Sequence, residues 1–468
     1  MRKLLGSLII LALAFSAMGA FAANHLSPSD HPPIKYLPRT TGGSPAHITG
    51  GLKYQNHSMQ SLKAVNKLSP AMNAKIRAQQ KGSFVNGKID TIPYFNSYFL
   101  TGSRNSLYVY SMVGGSPTLG GTTTVPTEIV PLTSELDFGG VPLYIFDPSG
   151  VFVHPADQDS DVNLFAEGPI YDATTTYPGP PADTGQMLDT FHRAQFRKVR
   201  TANWHTHLSS VFGPFLWYQF LEYNNGDWGF ICCDPNNNAV PVFNINTIST
   251  NFNTIVTDPL ELPATTNNIL PVIVTDYLTA FDPSNGACCE LGFHAAQAGV
   301  FDPSGVLVWT WGTWIPHNAD QGLLSPFGPF GQDTEVLTHE LGEIFDDPFV
   351  QVGGTLVPAW VDGSASFPQG NMEVGDAIEA MTAADALYNV PLTTTTGPYT
   401  YTEQNLATLE WFSRNPFNGG LYSWPNEGTL SHNAHPVGCT TPPSPITGIS
   451  PCALYGQGSA SFFFGPPF

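Results

Sequence analysis

Asp333-Thr334-Glu335-Val336-Leu337-Thr338-His339-Glu340-Leu341-Gly342-Glu343-Ile344-Phe345-Asp346-Asp347-Pro348 is the stretch on which the fold class turns. Its apolar residues recur at three- and four-residue steps, the period of a helix. Asp333 is in place to cap a helix from about Thr334 to Phe345, and Pro348 forces it to stop. On a wheel of about 100° per residue, Leu337, Leu341, Ile344 and Phe345 form one stripe, while His339, Glu340 and Glu343 share the other side. Ligands four residues apart can grip one metal ion from successive turns. A glutamate beside the first ligand can then act on water as a general base. The reading is His339 and Glu343 as metal ligands, Glu340 as catalytic base, and Zn2+ or another divalent cation as cofactor. Glu343 stands where such helices usually carry a second histidine. A carboxylate there lowers the positive charge and widens the choice toward harder ions such as Mn2+ or Ca2+. The bland reading of the same spacing is an amphipathic helix with a wet acidic side.

Three protein ligands are needed if one position is to stay open for water. Met372-Glu373-Val374-Gly375-Asp376 supplies the third, Glu373 first and Asp376 next. Asp346 and Asp347 compete, Asp347 lying two helical turns past His339 on the same face. Upstream, Cys288-Cys289-Glu290-Leu291-Gly292-Phe293-His294 brings in His294, which can ligate, contact substrate or fill the core.

Outward from the helix the pattern is β-like. Ile269–Leu278 is almost continuously apolar, as a strand buried on both faces requires, and Val306–Trp311 is similar. Shorter runs at Ser106–Val113, Thr127–Pro131, Val141–Phe146 and Val151–His154 are separated by Gly, Pro and Thr. Phe146-Asp147-Pro148-Ser149-Gly150-Val151 recurs as Phe301-Asp302-Pro303-Ser304-Gly305-Val306, and Asp-Pro-Ser-Gly is tight-turn chemistry, so both read as hairpin turns. Trp204-His205-Thr206-His207 sets two imidazoles on one face of a strand, a spacing that also serves metal sites. His205 is read as supporting the site from behind or touching substrate. Asp189, His192 and Arg193 sit on a short helical segment and read as a salt-bridged surface turn, with a substrate clamp as the alternative. No G-x-S-x-G elbow and no phosphate-cradling glycine loop is present.

The chain opens Met-Arg-Lys, continues apolar from Leu4 to Phe15 and reaches Ala20-Phe21-Ala22, the form of a secretory signal peptide cleaved after Ala22. A membrane anchor is the alternative, but the run is short and no basic stop-transfer cluster follows. The expected location is secreted, extracellular or periplasmic, with no membrane association after leader removal. The net charge of −20 repels phosphate backbones, so nucleic acid is excluded as a partner. The 45 Gly and 42 Pro demand many turns and short strands. In an exported chain, six cysteines usually pair. They are Cys232-Cys233, Cys288-Cys289, Cys439 and Cys452. Cross-pairing of the two Cys-Cys sites, with Cys439 to Cys452, is the simplest scheme, and a thiolate zinc site lacks the usual spacing.

Taken together, these segments resemble a group of uncharacterised secreted bacterial proteins with the signature C-C-x-x-G-F-H, then H-E-x-x-E-x-x-x-D-P, then E-V-G-D. Here these are Cys288–His294, His339–Pro348 with Asp347 as the motif aspartate, and Glu373–Asp376. Tyr108–Gly114, Thr123–Pro131, Asp189–Phe196, Asn203–His205 and Trp411–Arg414 also look like that group, so the resemblance spans roughly residues 90 to 430. The motif helix alone is distantly similar to plant phosphate-induced (exordium-like) proteins. The resemblance implies one conjoined site and no particular reaction. The glycine and third histidine of the metzincins do not follow the helix, so their mechanism does not carry over.

The expected organisation is α+β: signal peptide 1–22, polar lead-in or pro-segment 23–88, β-rich domain 89–260, zincin-like domain 261–438 carrying the HExxE helix, and Pro/Gly-rich tail 439–468. The expected function is a metal-dependent hydrolase, most simply a zinc peptidase acting on peptide or protein. The alternative is a non-enzymatic extracellular module with a structural cation at the same cluster.

Overall fold

A computed structural model describes residues 35–36, 90–101, 106–137, 142–146, 161–179, 182–214, 216–220, 228–231, 240–276, 278–282, 287–302, 305–315, 332–349, 373–381, 389–393, 400–413, 419–430 and 461–463. They form a mixed α+β fold. The expected leader, Val151–His154 and the first Asp-Pro-Ser-Gly segment lie outside the described residues. Among the described residues, no helix is long and apolar enough to cross a membrane.

Strands β1 (Tyr94–Thr101) and β2 (Ser106–Val113) pair antiparallel, and Ser461–Phe463 of the tail adds to β1. The main sheet is built on β3 (Gly121–Asp137), which is 17 residues long. β4 (Pro142–Phe146) folds back on its far end, and β5 (Trp204–Phe212) and β6 (Leu216–Phe220) lie parallel along one side. β5 pairs as far as Ile129 and β6 begins at Leu132. Pro131, which has no N–H to donate, falls in the gap between them, where a proline does least harm to a ladder. Lys35–Tyr36 extends this edge beside β6. On the other side come β7 (Leu270–Asp276), then β9 (Val306–Trp314), both parallel, and finally β8 (Gly292–Ala298), antiparallel to β9. A second, four-stranded sheet uses Trp228–Ile231, Val240–Asn244, Ala280–Asp282 and Ala287–Glu290.

Every residue of β7 and β9 is buried, as the apolar runs require. Period-two alternation divides their side chains between two layers. Ile273, Leu307, Trp309 and Trp311 pack with Ile248, Phe252, Ile255 and Val256 of a helix over Ile245–Thr257. Leu270, Val272, Val274, Val306 and Val308 share the opposite layer with two further helices, α1 (Met187–Gln195) and α2 (Glu335–Asp346). Between the antiparallel β8 and β9, Gly305 N–H donates to the Asp302 carbonyl at 2.8 Å, in keeping with the expected hairpin, while Pro303 and Ser304 lie outside the described residues.

Three expectations change. The sheet joins β3 to β7, so the boundary drawn at residue 260 runs through one continuous sheet. Asp333 does not cap α2. Its φ is 51°, its Oδ2 accepts from the Thr402 N–H at 3.0 Å, and Thr334 holds the cap position. Asp189–Arg193 is no surface turn: Asp189 and His192 are buried on α1, because that helix is packed between the sheet and α2.

Candidate metal centre

Two glycines let the motif helix reach the sheet. Gly292 of β8 and Gly312 of β9 are register partners. A Cβ on Gly292 would come within 2.6 Å of Val336 Cγ1, and one on Gly312 within 2.6 Å of Leu337 Cγ. With that approach open, both faces of α2 are covered: Glu340 and Glu343 are buried, and only His339 keeps partial exposure. The wet acidic side of the bland reading is therefore absent.

Four separate stretches, the helix included, meet here. From β8, His294 sets Nδ1 at 3.1 Å from Glu340 Oε2 and 3.4 Å from Glu343 Oε2. Its Nε2 lies 3.3 Å from Glu373 Oε1. His339 places Nε2 at 2.9 Å from Glu343 Oε1 and 3.8 Å from Asp376 Oδ1. Asp376 opens the short helix α3 (Asp376–Met381) and donates its N–H to Glu343 Oε1 at 3.3 Å, while Glu373 N–H donates to Asp376 Oδ2 at 3.2 Å. Gly375 lies flat on the His339 ring, where a Cβ would sit 2.5 Å from Nδ1.

The fourth contributor is Gln404, at the end of β10 (Thr400–Gln404). Its Nε2 donates to the Gly375 carbonyl at 2.9 Å, which turns Oε1 toward His339 Nδ1 at 2.7 Å. The amide orientation follows from the Gly375 contact, and the carbonyl oxygen can only accept. His339 therefore carries its proton on Nδ1. Its Nε2 faces two carboxylates, an arrangement that holds only with a cation or a second proton between them.

Burial disfavours the His294 imidazolium, but the Glu373 charge and hydrogen bonds with Glu340, Glu343 and Glu373 outweigh it, so its pKa stands well above the ordinary imidazole value. Burial pushes Glu340 up to about 7 against the pull of His294 and His339. Burial also works on Glu343, but the His339 charge and hydrogen bonds with both histidines bring it down to about 2. Glu373 is raised by burial. Two imidazoles cannot neutralise four buried carboxylates, and the donor set could hold a metal ion. Two groups of three fall within ligating reach, His339 with Glu343 and Asp376, and His294 with Glu340 and Glu343.

Of the sequence-derived residues, His339, Glu340, Glu343, Glu373, Asp376 and His294 come together. Asp347 does not join either group. It is the C-cap of α2, its N–H on the Glu343 carbonyl at 2.6 Å. The neighbouring Asp346 turns away to α1, meeting His192 Nε2 at 3.2 Å and Gln195 Nε2 at 2.9 Å. His205 lies against Asp189 instead, at 2.9 Å. Cys288 and Cys289 lie in the strand Ala287–Glu290, whereas Cys232, Cys233, Cys439 and Cys452 lie outside the described residues. Gln404 was not foreseen; nothing local in its sequence marks a glutamine that orients a histidine. Compared with protein-family models, curated proteins and solved structures, the chain matches none.

Proposed function

We propose that the buried centre holds a divalent cation, zinc for preference, and that the protein is a secreted metal-dependent hydrolase, most simply a peptidase acting on peptide or protein. One observation carries the proposal: His339 is fixed with its protonated Nδ1 on Gln404 and its Nε2 toward Glu343 and Asp376. Metal-ligating histidines are commonly oriented in this way by a partner on the other ring nitrogen. His339, Glu343 and Asp376 are the proposed ligands, with Glu373 close enough to His294 to hold its charge. An ion bound there supplies Lewis acidity toward a scissile carbonyl. Glu340 takes the proton from the attacking water, and His294 Nδ1, beside Glu340 Oε2, steadies the carboxylate in the geometry for that transfer. The partly exposed edge of His339 is the side from which substrate arrives. The leader at 1–22 supports export.

The near-complete burial of Glu340 and Glu343 favours a second reading, a structural cation in a non-enzymatic extracellular module. Elemental analysis of the purified full chain, beside His339→Ala, separates the two when combined with chelation. A hydrolase loses its ion to chelator and stays folded; a structural ion takes the fold with it. A wild-type protein without stoichiometric metal overturns both.

A further inference from the structure

The pair of histidines on β5 has a different neighbour from the one expected of it. His205 and His207 alternate onto one face of the strand, with their ring centroids 5.2 Å apart. Both are turned toward Asp189 of α1: His205 Nδ1 at 2.9 Å and His207 Nε2 at 3.6 Å from the same oxygen, Oδ2. Asp189 is 1% exposed, against 27% for His205 and 36% for His207. Its other oxygen, Oδ1, is held by the Thr206 backbone N–H at 2.8 Å, from the residue between the two histidines. The carboxylate is thus locked in orientation, with one oxygen committed to the strand and the other presented to both rings.

We propose that Asp189, His205 and His207 form a second, solvent-facing site for a divalent transition-metal ion, separate from the centre on α2. Ligand atoms at the corners of a tetrahedron with metal bonds of about 2.0–2.1 Å are about 3.4 Å apart. The 2.9 and 3.6 Å separations bracket that edge. The longer one exceeds a normal N–H···O hydrogen bond, so hydrogen bonding alone does not account for the turn of His207. All three donor atoms lie within 4.8 Å of one another. Two imidazoles and one carboxylate select zinc, copper, nickel or iron over magnesium or calcium. The exposed sides of the rings leave positions for water or a small ligand. Arg193 Nη1 lies 3.8 Å from Asp189 Oδ2. Its shorter contact is to Asp183 at 3.1 Å, which holds it as an ion pair beside the site.

Equilibrium dialysis of the full-length protein against micromolar zinc, followed by elemental analysis, tests this. The His205→Ala/His207→Ala double variant is expected to bind one equivalent less than wild type, whereas His339→Ala keeps that equivalent. Asp189 anchors backbone, so its replacement risks the fold. His207→Gln, on the most exposed member, is the gentler variant and is expected to weaken binding at this site at least tenfold. Cobalt substitution gives an independent reading, through a visible absorption band that His339→Ala leaves intact and His207→Gln diminishes. Zinc uptake and cobalt spectra unchanged in the double variant overturn the proposal, whatever happens at His339. A wild type holding one equivalent that only the double variant removes upholds this site and rejects the centre on α2.

Discussion

Gly292 and Gly312 face each other across the β8–β9 pair, and the absence of a side chain on either is what lets Val336, Leu337 and Glu340 of α2 rest on the sheet. The depth of the centre depends on this contact, because it brings Glu340 to His294.

Gly312→Ala is expected to destabilise the protein by about 1–3 kcal/mol, the usual cost of overpacking a close contact. A Cβ there meets Leu337 Cγ at 2.6 Å, and α2 must lift to relieve it. Thermal unfolding beside wild type measures the loss. An unchanged melting temperature removes the glycine pair as the reason for the close approach.

Glu340→Gln is expected to lower turnover by roughly a hundredfold to ten-thousandfold while leaving metal content unchanged, as the loss of a general base does. Steady-state kinetics on a cleaved peptide, with elemental analysis of the same sample, check both halves. Full activity in the variant removes Glu340 from the chemistry.

Gln404→Leu is expected to weaken metal binding about tenfold to a hundredfold, since His339 loses the acceptor that holds its proton on Nδ1. Competition with a chelator of known affinity reads the change. The secondary-structure spectrum should stay as in wild type, so that a loss of affinity is not mistaken for unfolding.

Glu403 gives a pH signature distinct from the metal ligands. It is buried beside Tyr177, whose hydroxyl donates to its Oε2 at 3.3 Å, and burial pushes its pKa up to about 8 from an ordinary 4.5. The folded state keeps a proton that the unfolded chain releases. Its contribution is therefore fully present below about pH 4.5 and is lost as pH rises through about 8. Glu403→Gln, neutral at every pH, should show a smaller fall in melting temperature than wild type between about pH 5 and pH 8. Parallel curves for the two proteins would falsify the assignment.

Much of this architecture is legible in the chain because it is local. The period of α2, the stop at Pro348 and the apolar runs of β7 and β9 need only neighbouring residues to be read. What escapes is whatever depends on distant partners. Asp346 and Asp347 are chemically identical neighbours, yet one step around the helix sends the first to His192 and leaves the second as a cap. Asp333 looks like a cap by composition, but Thr402, far along the chain, claims its carboxylate. His294 carries no local mark distinguishing core from site, and Gln404 acquires its role only when β10 lies beside α2. The boundary at residue 260 fails for the same reason, since strand pairing is not encoded in composition.

The length of β3 bears on how the chain folds. Its parallel partners follow late: Val125 waits for Leu208, roughly 80 residues on, and Ile129 for Val272, further still. Parallel pairing over such separations closes long loops before any contact repays them, which makes it slow. During synthesis, the strand that organises the sheet is therefore made long before its parallel partners. Val125 meets Leu208 once β5 is made, but Ile129 and Val130 still wait for Val272 and Ile273 of β7, so apolar strand edge stays open to wrong partners between the emergence of β3 and of β7.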